Sequence, residues 1–207
     1  MLSTFVSPVQ CCFICRLRIA DCVCAIAPRL NITTRVIVVI HAKEWRRSSN
    51  TGYLARLALE TGEVRLHGLR NEIIDSSGID ADSPATLALY PGRGALPLTA
   101  ELLANLPRPV TLLVPDGNWM QAKNMMRRVP MLAQAQPVRL DGPSLGLACL
   151  RRNAYPDRMS TFEAIAQALG IIEGEATGRA MLDFFQRVLP HMALSKQRTI
   201  KLYHPIA

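Results

Sequence analysis

A mostly parallel α/β sheet is predicted for this chain, preceded by a small cysteine-rich element, and three observations carry that prediction. Two runs, Thr34–His41 and Val110–Val114, are densely apolar and β-branched, as strands covered on both faces must be. Helical patterns alternate with the strands along the chain, which is the signature of parallel pairing through crossovers. Five of the six cysteines stand between Cys11 and Cys24, ahead of the first strand.

The elements follow in order. Pro28 closes the cysteine-rich segment, so the expected division is residues 1–30 for that element and 31–207 for the sheet domain. After the strand at Thr34–His41, Asn50-Thr51 can cap a helix over Gly52–Glu60, with Leu54, Leu57 and Ala58 on one face. Val64–Leu69 reads as a strand, and residues 75–84 are polar and turn-like. Leu87–Tyr90 is a short strand halted by Pro91-Gly92, and Leu98–Leu106 reads as a helix. The strand at Val110–Val114 stops at Pro115-Asp116-Gly117, and a helix follows over Trp119–Arg128. A further short strand, Val138–Leu140, ends at Asp141-Gly142-Pro143. Ser160-Thr161-Phe162-Glu163 is a capping box that opens a helix to about Leu169. A last helix covers about Gly178 to His191, with an interruption expected near Pro190.

The chain has 207 residues, 49% of them hydrophobic and 19% charged, which suits a packed core and excludes wholesale disorder. Its longest aliphatic run, Val36–Ile40, is far shorter than the roughly 20 residues a membrane helix needs. The opening MLSTFVSPVQ lacks the basic and apolar regions of a secretory signal. A soluble, cytoplasmic protein is therefore expected. No internal repeat, G-x-G-x-x-G or G-x4-G-K-[ST] occurs, which argues against ordinary dinucleotide and P-loop sites.

Net charge is +8, from 20 Arg and 4 Lys against 16 acidic residues. Residues 1–50 carry a net +5, residues 51–109 a net −2 and residues 110–159 a net +4. Two basic segments that met in space would form a face suited to a nucleic acid.

Clustered cysteines in a reducing compartment are more often metal ligands than disulfides. Cys12-Phe-Ile-Cys15 has the spacing of a zinc knuckle, and Cys22-Val-Cys24 supplies a second pair. Four thiolates would close a tetrahedral zinc site and leave no catalytic position open. Cys11 can replace Cys12 in this set on spacing alone, and a redox dithiol is the competing reading. Cys149, standing alone, reads as a small buried residue. Arg16 and Arg18 lie on the knuckle.

In a parallel sheet, ligands gather beyond the C-terminal strand ends. Four such ends are chemically marked here: His41, Tyr90-Pro91-Gly92, Asp116-Gly117 and Asp141-Gly142. Asp116 with Trp119 fits a base-and-wall arrangement, although an ordinary Asp-Gly turn beside a core Trp has the same pattern. His41, Glu44, Arg46 and Arg47 form a polar cluster that a solvated loop would also explain. Arg127-Arg128 can complement a helix C-terminus.

Taken together, these motifs resemble the DTW-domain family of tRNA-uridine aminocarboxypropyltransferases. The resemblance runs from Cys12 to about Leu169. It rests on Cys12, Cys15, Cys22 and Cys24; on His41, Glu44, Arg47, Asn50, Thr51 and Gly52 in the spacing H-x2-E-x2-R-x2-N-T-G; on Tyr90-Pro91-Gly92; on Asp116-Gly117-Asn118-Trp119; and on Leu150-Arg151 with Ser160-Thr161-Phe162-Glu163-Ala164. Two departures stand out. Asn118 replaces the commoner Thr, and the aromatic usually near the Leu-Arg pair is absent.

The resemblance implies a SPOUT-like sheet with a C-terminal trefoil knot. It implies transfer of the 3-amino-3-carboxypropyl group from S-adenosylmethionine to N3 of a tRNA uridine, in the variable loop, with release of methylthioadenosine. Leu89, Tyr90, Pro91, Gly92, Pro115, Asp116, Gly117, Trp119, Leu140, Arg151 and Thr161 are expected around the donor. Asp116 is expected to orient N3 or take its proton. Structural zinc is expected on the four cysteines. Arg16, Arg18, Arg35, His41, Arg46, Arg47, Asn50, Thr51, Arg127 and Arg128 are expected toward tRNA. No protein or membrane partner is implied. A SPOUT-like RNA methyltransferase and a non-enzymatic zinc-knuckle RNA-binding protein share much of this pattern.

Overall fold

The computed structural model describes residues 10–45, 47, 49–69, 73–80, 82–142 and 159–202. Six strands, β1 (Arg35–His41), β2 (Glu63–His67), β3 (Thr86–Leu89), β4 (Leu96–Pro97), β5 (Thr111–Asp116) and β6 (Gln136–Arg139), form one sheet in the order β2-β1-β5-β3-β6-β4. Every pairing is parallel. Helices α1 (Ala42–Trp45) and α2 (Ala55–Ala58) lie between β1 and β2, and α3 (Ala100–Ala104) precedes β5. Helices α4 (Trp119–Arg128) and α5 (Pro130–Gln134) join β5 to β6, and α6 (Thr161–Ile172) and α7 (Glu175–Leu202) end the chain.

Alternation along each strand sends side chains to two faces, and both are covered. Val36, Val38, Ile40, Leu112 and Val114 enter one core with Phe162, Ile165, Phe184 and Phe185 of α6 and α7. Ile37, Val39, Ala88 and Leu113 enter the other with Ala122, Met125, Met131 and Leu132 of α4 and α5. A strand buried on both faces has no polar position to alternate, which is why β1 and β5 read as continuous apolar runs.

The cysteine element shares the first of these cores: Cys15, Leu17 and Val23 are fully or almost fully buried in it. Short 3-10 turns at Ile19–Asp21 and Cys24–Ile26 carry its chain.

Local signals account for the helix ends. Asn118 caps α4 through a reciprocal bond with Gln121, and Ser160 caps α6 the same way with Glu163. The helix expected over Gly52–Glu60 is instead a 3-10 turn, Gly52–Leu54, followed by the single turn of α2. It stops early because Leu59 turns extended and forms a bridge with Leu30. No break occurs at Pro190: α7 runs through it, with Pro190 on the exposed side. Helix α5 begins with Pro130 in its first turn, where the missing N–H costs nothing.

The connections leave β1 and β5 in opposite directions. After β1 the chain moves outward to β2, and after β5 it moves the other way to β6. These two adjacent strands therefore border the point where the winding reverses. In open parallel sheets such a point is where a ligand crevice forms, beyond the C-terminal strand ends. His41 ends β1, and Asp116, in register with Ile40, ends β5. Residues 143–158, between β6 and α6, lie outside the described residues, and with them the passage on which a knot depends. No described helix is long and apolar enough to cross a membrane.

Candidate active site and metal centre

Asp116 is 6% exposed, and its carboxylate joins three parts of the chain. Asn50 Nδ2 donates to Oδ2, and Thr161 Oγ1 donates to Oδ1 at 2.5 Å. Asn50 Oδ1 accepts in turn from the Tyr53 N–H at 3.4 Å, and Thr51 Oγ1 accepts from the Phe162 N–H at 3.4 Å. The end of β5, the 50–54 turn and the start of α6 are thus held as one unit.

Gly52 is required by this packing. A Cβ there would sit 2.6 Å from Asp116 Oδ2 and 3.1 Å from Val38 Cγ1.

At the same end of the sheet, on the face opposite Asp116, the C-terminal ends of β3 and β5 present an aromatic corner. The Tyr90 and Trp119 ring centroids are 6.4 Å apart with planes at 55°. Tyr90 folds back over Gly92, where a Cβ would come within 2.4 Å of the ring. The Gly92 N–H donates to the Tyr90 carbonyl at 2.8 Å, which makes the turn tight. Trp119, at the first turn of α4, is 55% exposed and offers a free apolar surface. Leu89, Pro91, Pro115, Gly117 and Leu140 lie at the C-terminal ends of the neighbouring strands β3, β5 and β6. Arg151 lies outside the described residues, as do Arg46 and Cys149.

On the same face as this corner, opposite Asp116, His41 and His67 end β1 and β2 side by side, with ring centroids 6.3 Å apart. His41 Nδ1 accepts from the Lys43 N–H at 3.2 Å and lies 3.4 Å from Gln121 Nε2. Burial lowers the pKa of both imidazoles, and the second ring lowers that of His41 further. His67 and Gln121 were not among the expected site residues. Gln121 was legible as the fourth member of an Asn-x-x-Gln capping box. His67 carries no local signal, because its neighbour is 26 positions away in sequence.

The Sγ atoms of Cys12, Cys15, Cys22 and Cys24 all lie within 4.8 Å of one another. The Cys12–Cys24 and Cys15–Cys22 separations are both 3.7 Å. Four thiolates about 2.3 Å from a tetrahedral zinc stand about 3.8 Å apart, so the group fits that ion with shifts of about 1 Å or less. Backbone N–H groups of Cys15 and Ile14 pull the Cys12 thiol down to about 6, so it ionises readily. Burial pushes the Cys15 and Cys24 thiols up, and a bound cation is what would offset this. Cys12, not Cys11, belongs to the group; Cys11 is exposed and bridges Arg18.

Several residues expected toward tRNA are placed elsewhere. Asn50 and Thr51 are 7% and 6% exposed and are engaged inside the Asp116 unit, so they have no surface to offer an RNA. The Arg16 guanidinium stacks 3.8 Å above the Trp45 ring and donates to the Trp45 carbonyl, which ties the knuckle to α1. Arg35 stands at the N-terminal end of β1, where Nε pairs with Glu63 Oε1 at 2.6 Å. A hollow of about 430 Å³ lined by Thr33, Arg35 and Glu60–Glu63 opens at that same far end, away from Asp116. Arg127 and Arg128 close α4, which starts at the crevice and runs back along the sheet, so they too are remote from it. Arg47 stays at the crevice end, its side chain 61% exposed and 3.1 Å from Glu44. Arg18 is half-buried on the knuckle.

A family model described as the DTW domain matches residues 9–193. A protein named tRNA-uridine aminocarboxypropyltransferase 2, from Drosophila melanogaster, is 30% identical over 176 residues, covering 81% of this chain and 68% of that protein. The protein of the same name from Mus musculus is 27% identical over 158 residues, covering 73% of this chain, which spans 53% of its length. A solved structure described as an SAM-dependent rRNA:acp-transferase from Vulcanisaeta distributa superposes over 82% of each chain, with a TM-score of 0.48 and 16% identity.

Proposed function

This chain belongs to the DTW-domain family, and from that premise we propose that it moves the 3-amino-3-carboxypropyl group of S-adenosylmethionine to N3 of a tRNA uridine, in the variable loop. The observation that carries the proposal is the Asp116 unit at the C-terminal ends of β1 and β5, with the Tyr90–Trp119 corner at the neighbouring strand ends.

The reaction forms an N3–C bond as the C–S bond to the aminocarboxypropyl chain breaks. The electron pair of that bond stays on sulfur, which turns the sulfonium into the neutral thioether of methylthioadenosine. N3 loses its proton in the same event. Three carbons of the sulfonium are open to attack, and the one that faces N3 decides the product. Positioning is therefore the main demand on the protein, and its rigid supply is worth several orders of magnitude.

Asp116 is suited to accept the N3–H hydrogen bond and aim the ring. Asn50 and Thr161 fix the direction of its carboxylate, which serves orientation. Tyr90 and Trp119 offer flat apolar surfaces for the adenine or the uracil. Thr161 holds the start of α6 against Asp116. The four-cysteine group would hold zinc with all four positions filled, and its part is to order the N-terminal element.

Incubation with unmodified tRNA and S-adenosylmethionine, followed by nucleoside mass spectrometry, tests the assignment. The expected product is a uridine heavier by the aminocarboxypropyl group. Methyluridine in its place would identify a methyltransferase, and unchanged tRNA with no release of methylthioadenosine would refute the assignment.

A further inference from the structure

The tip of the knuckle displays exposed apolar side chains. Phe13 is 100% exposed and Ile14 52% exposed. They are the two residues between Cys12 and Cys15. The turn there is defined by backbone bonds, with the Arg16 N–H donating to the Cys12 carbonyl at 2.8 Å and the Cys12 N–H to the Leu17 carbonyl at 2.7 Å. A metal turn of this kind needs no aromatic, and a wholly exposed phenyl ring costs solubility without contributing to the fold.

The exposed charges of its own segment are of one sign. Both acids within residues 10–50 are buried, Asp21 at 4% and Glu44 at 7%, while Arg29, Lys43 and Arg47 are exposed. The surface that this segment shows is therefore basic, more so than its composition suggests. Its place is also defined. Arg16, three residues from Phe13, stacks on Trp45 of α1, which directly follows the C-terminal end of β1. The knuckle thus sits at the same edge of the sheet as His41 and Asp116.

We infer that Phe13, supported by Ile14, is a stacking platform for an unpaired nucleobase of the tRNA substrate, next to the uridine presented to Asp116. An apolar flat surface set in a basic field matches the two parts of single-stranded RNA, its base faces and its phosphates. The knuckle's contribution to RNA then comes through the ring of Phe13, not through Arg16, whose guanidinium is already occupied. This inference rests on the proposed function, and its test separates the two.

The test compares wild type, Phe13→Ala and Phe13→Trp, all zinc-loaded, with an unmodified tRNA transcript as probe. Base stacking on an aromatic is large enough that Phe13→Ala should weaken tRNA binding by about tenfold or more. The loss should appear in KM for tRNA, with kcat close to wild type, since the ring is not at the reacting atoms. Phe13→Trp should restore binding, and zinc content and S-adenosylmethionine binding should be unchanged in both variants.

Wild-type affinity and KM in Phe13→Ala would overturn the inference. So would a change confined to oligomeric state by light scattering, which would make the tip a protein contact. Wild type that neither binds nor modifies tRNA would refute the functional reading itself.

Discussion

Replacing Gly52 by Ala tests the Asp116 unit with a single methyl group. That methyl would stand 2.6 Å from Asp116 Oδ2, 3.0 Å from its Cγ and 3.1 Å from Val38 Cγ1. Ordinary contact begins near 3.4 Å, so the carboxylate must retreat by about 0.8 Å, close to the 1 Å misplacement that can cost about a hundredfold in rate. Val38 is fully buried in the central strand and cannot give way. The Thr161 hydroxyl, now at 2.5 Å, and the Asn50 amide would both lose their geometry. Overpacking of this kind destabilises by about 1–3 kcal/mol, which leaves a protein of this size folded. The expected result is a cooperative thermal melt at a lower midpoint and turnover reduced by roughly 10- to 100-fold, read as methylthioadenosine release and modified nucleoside. Asn50→Ala reaches the same carboxylate without a clash and should lower turnover in the same direction. Full activity in a folded Gly52→Ala protein would show that the position of Asp116 is immaterial, and the reasoning would fail.

Three other predictions follow from the same structure. Cys15→Ser should abolish stoichiometric zinc by elemental analysis and lower the melting temperature, because Cys15 is both a candidate ligand and fully buried in the shared core. Arg16→Ala should lower stability to urea by about 1–3 kcal/mol, and Arg16→Lys should recover only part of it, since an ammonium cannot reproduce the planar stack on Trp45. His41 and His67 have folded-state pKa values below the ordinary imidazole value of 6.5, so the unfolded chain takes up protons first as pH falls. Stability from this pair should be fully present above that value and decline beneath it; His67→Gln should flatten the profile of melting temperature against pH.

Much of the architecture was legible where local chemistry is decisive. The apolar runs of β1 and β5 follow from burial on both faces, and α4 and α6 announce themselves through capping residues. The residues at the C-terminal strand ends were legible as well, because parallel topology by itself brings such ends together. What the sequence left hidden is non-local. Asn50 and Thr51 read as a helix cap near a basic loop, yet their partners Asp116 and Phe162 are 66 and 111 residues away. Arg16 looks like a free cation on a metal turn until its ring partner, 29 residues on, is known. Arg35 belongs to the right strand but the wrong end, a distinction that requires the direction of β1 relative to the site. Helix α7 passes Pro190 because its apolar face packs along α6, and tertiary packing outweighs one missing hydrogen bond. The two-residue strand β4 is too short to leave a period in the sequence.

The most direct test of the central claim is to follow the donor's atoms. Wild-type protein is incubated with unmodified tRNA and S-adenosylmethionine labelled either in the carboxyl carbon or in the methyl group, alongside the folded Asp116→Ala variant. The account predicts that the carboxyl label enters tRNA, the methyl label stays with the released thioether, and Asp116→Ala loses most of the transfer. Methyl label in tRNA, or undiminished carboxyl transfer by Asp116→Ala, would contradict it.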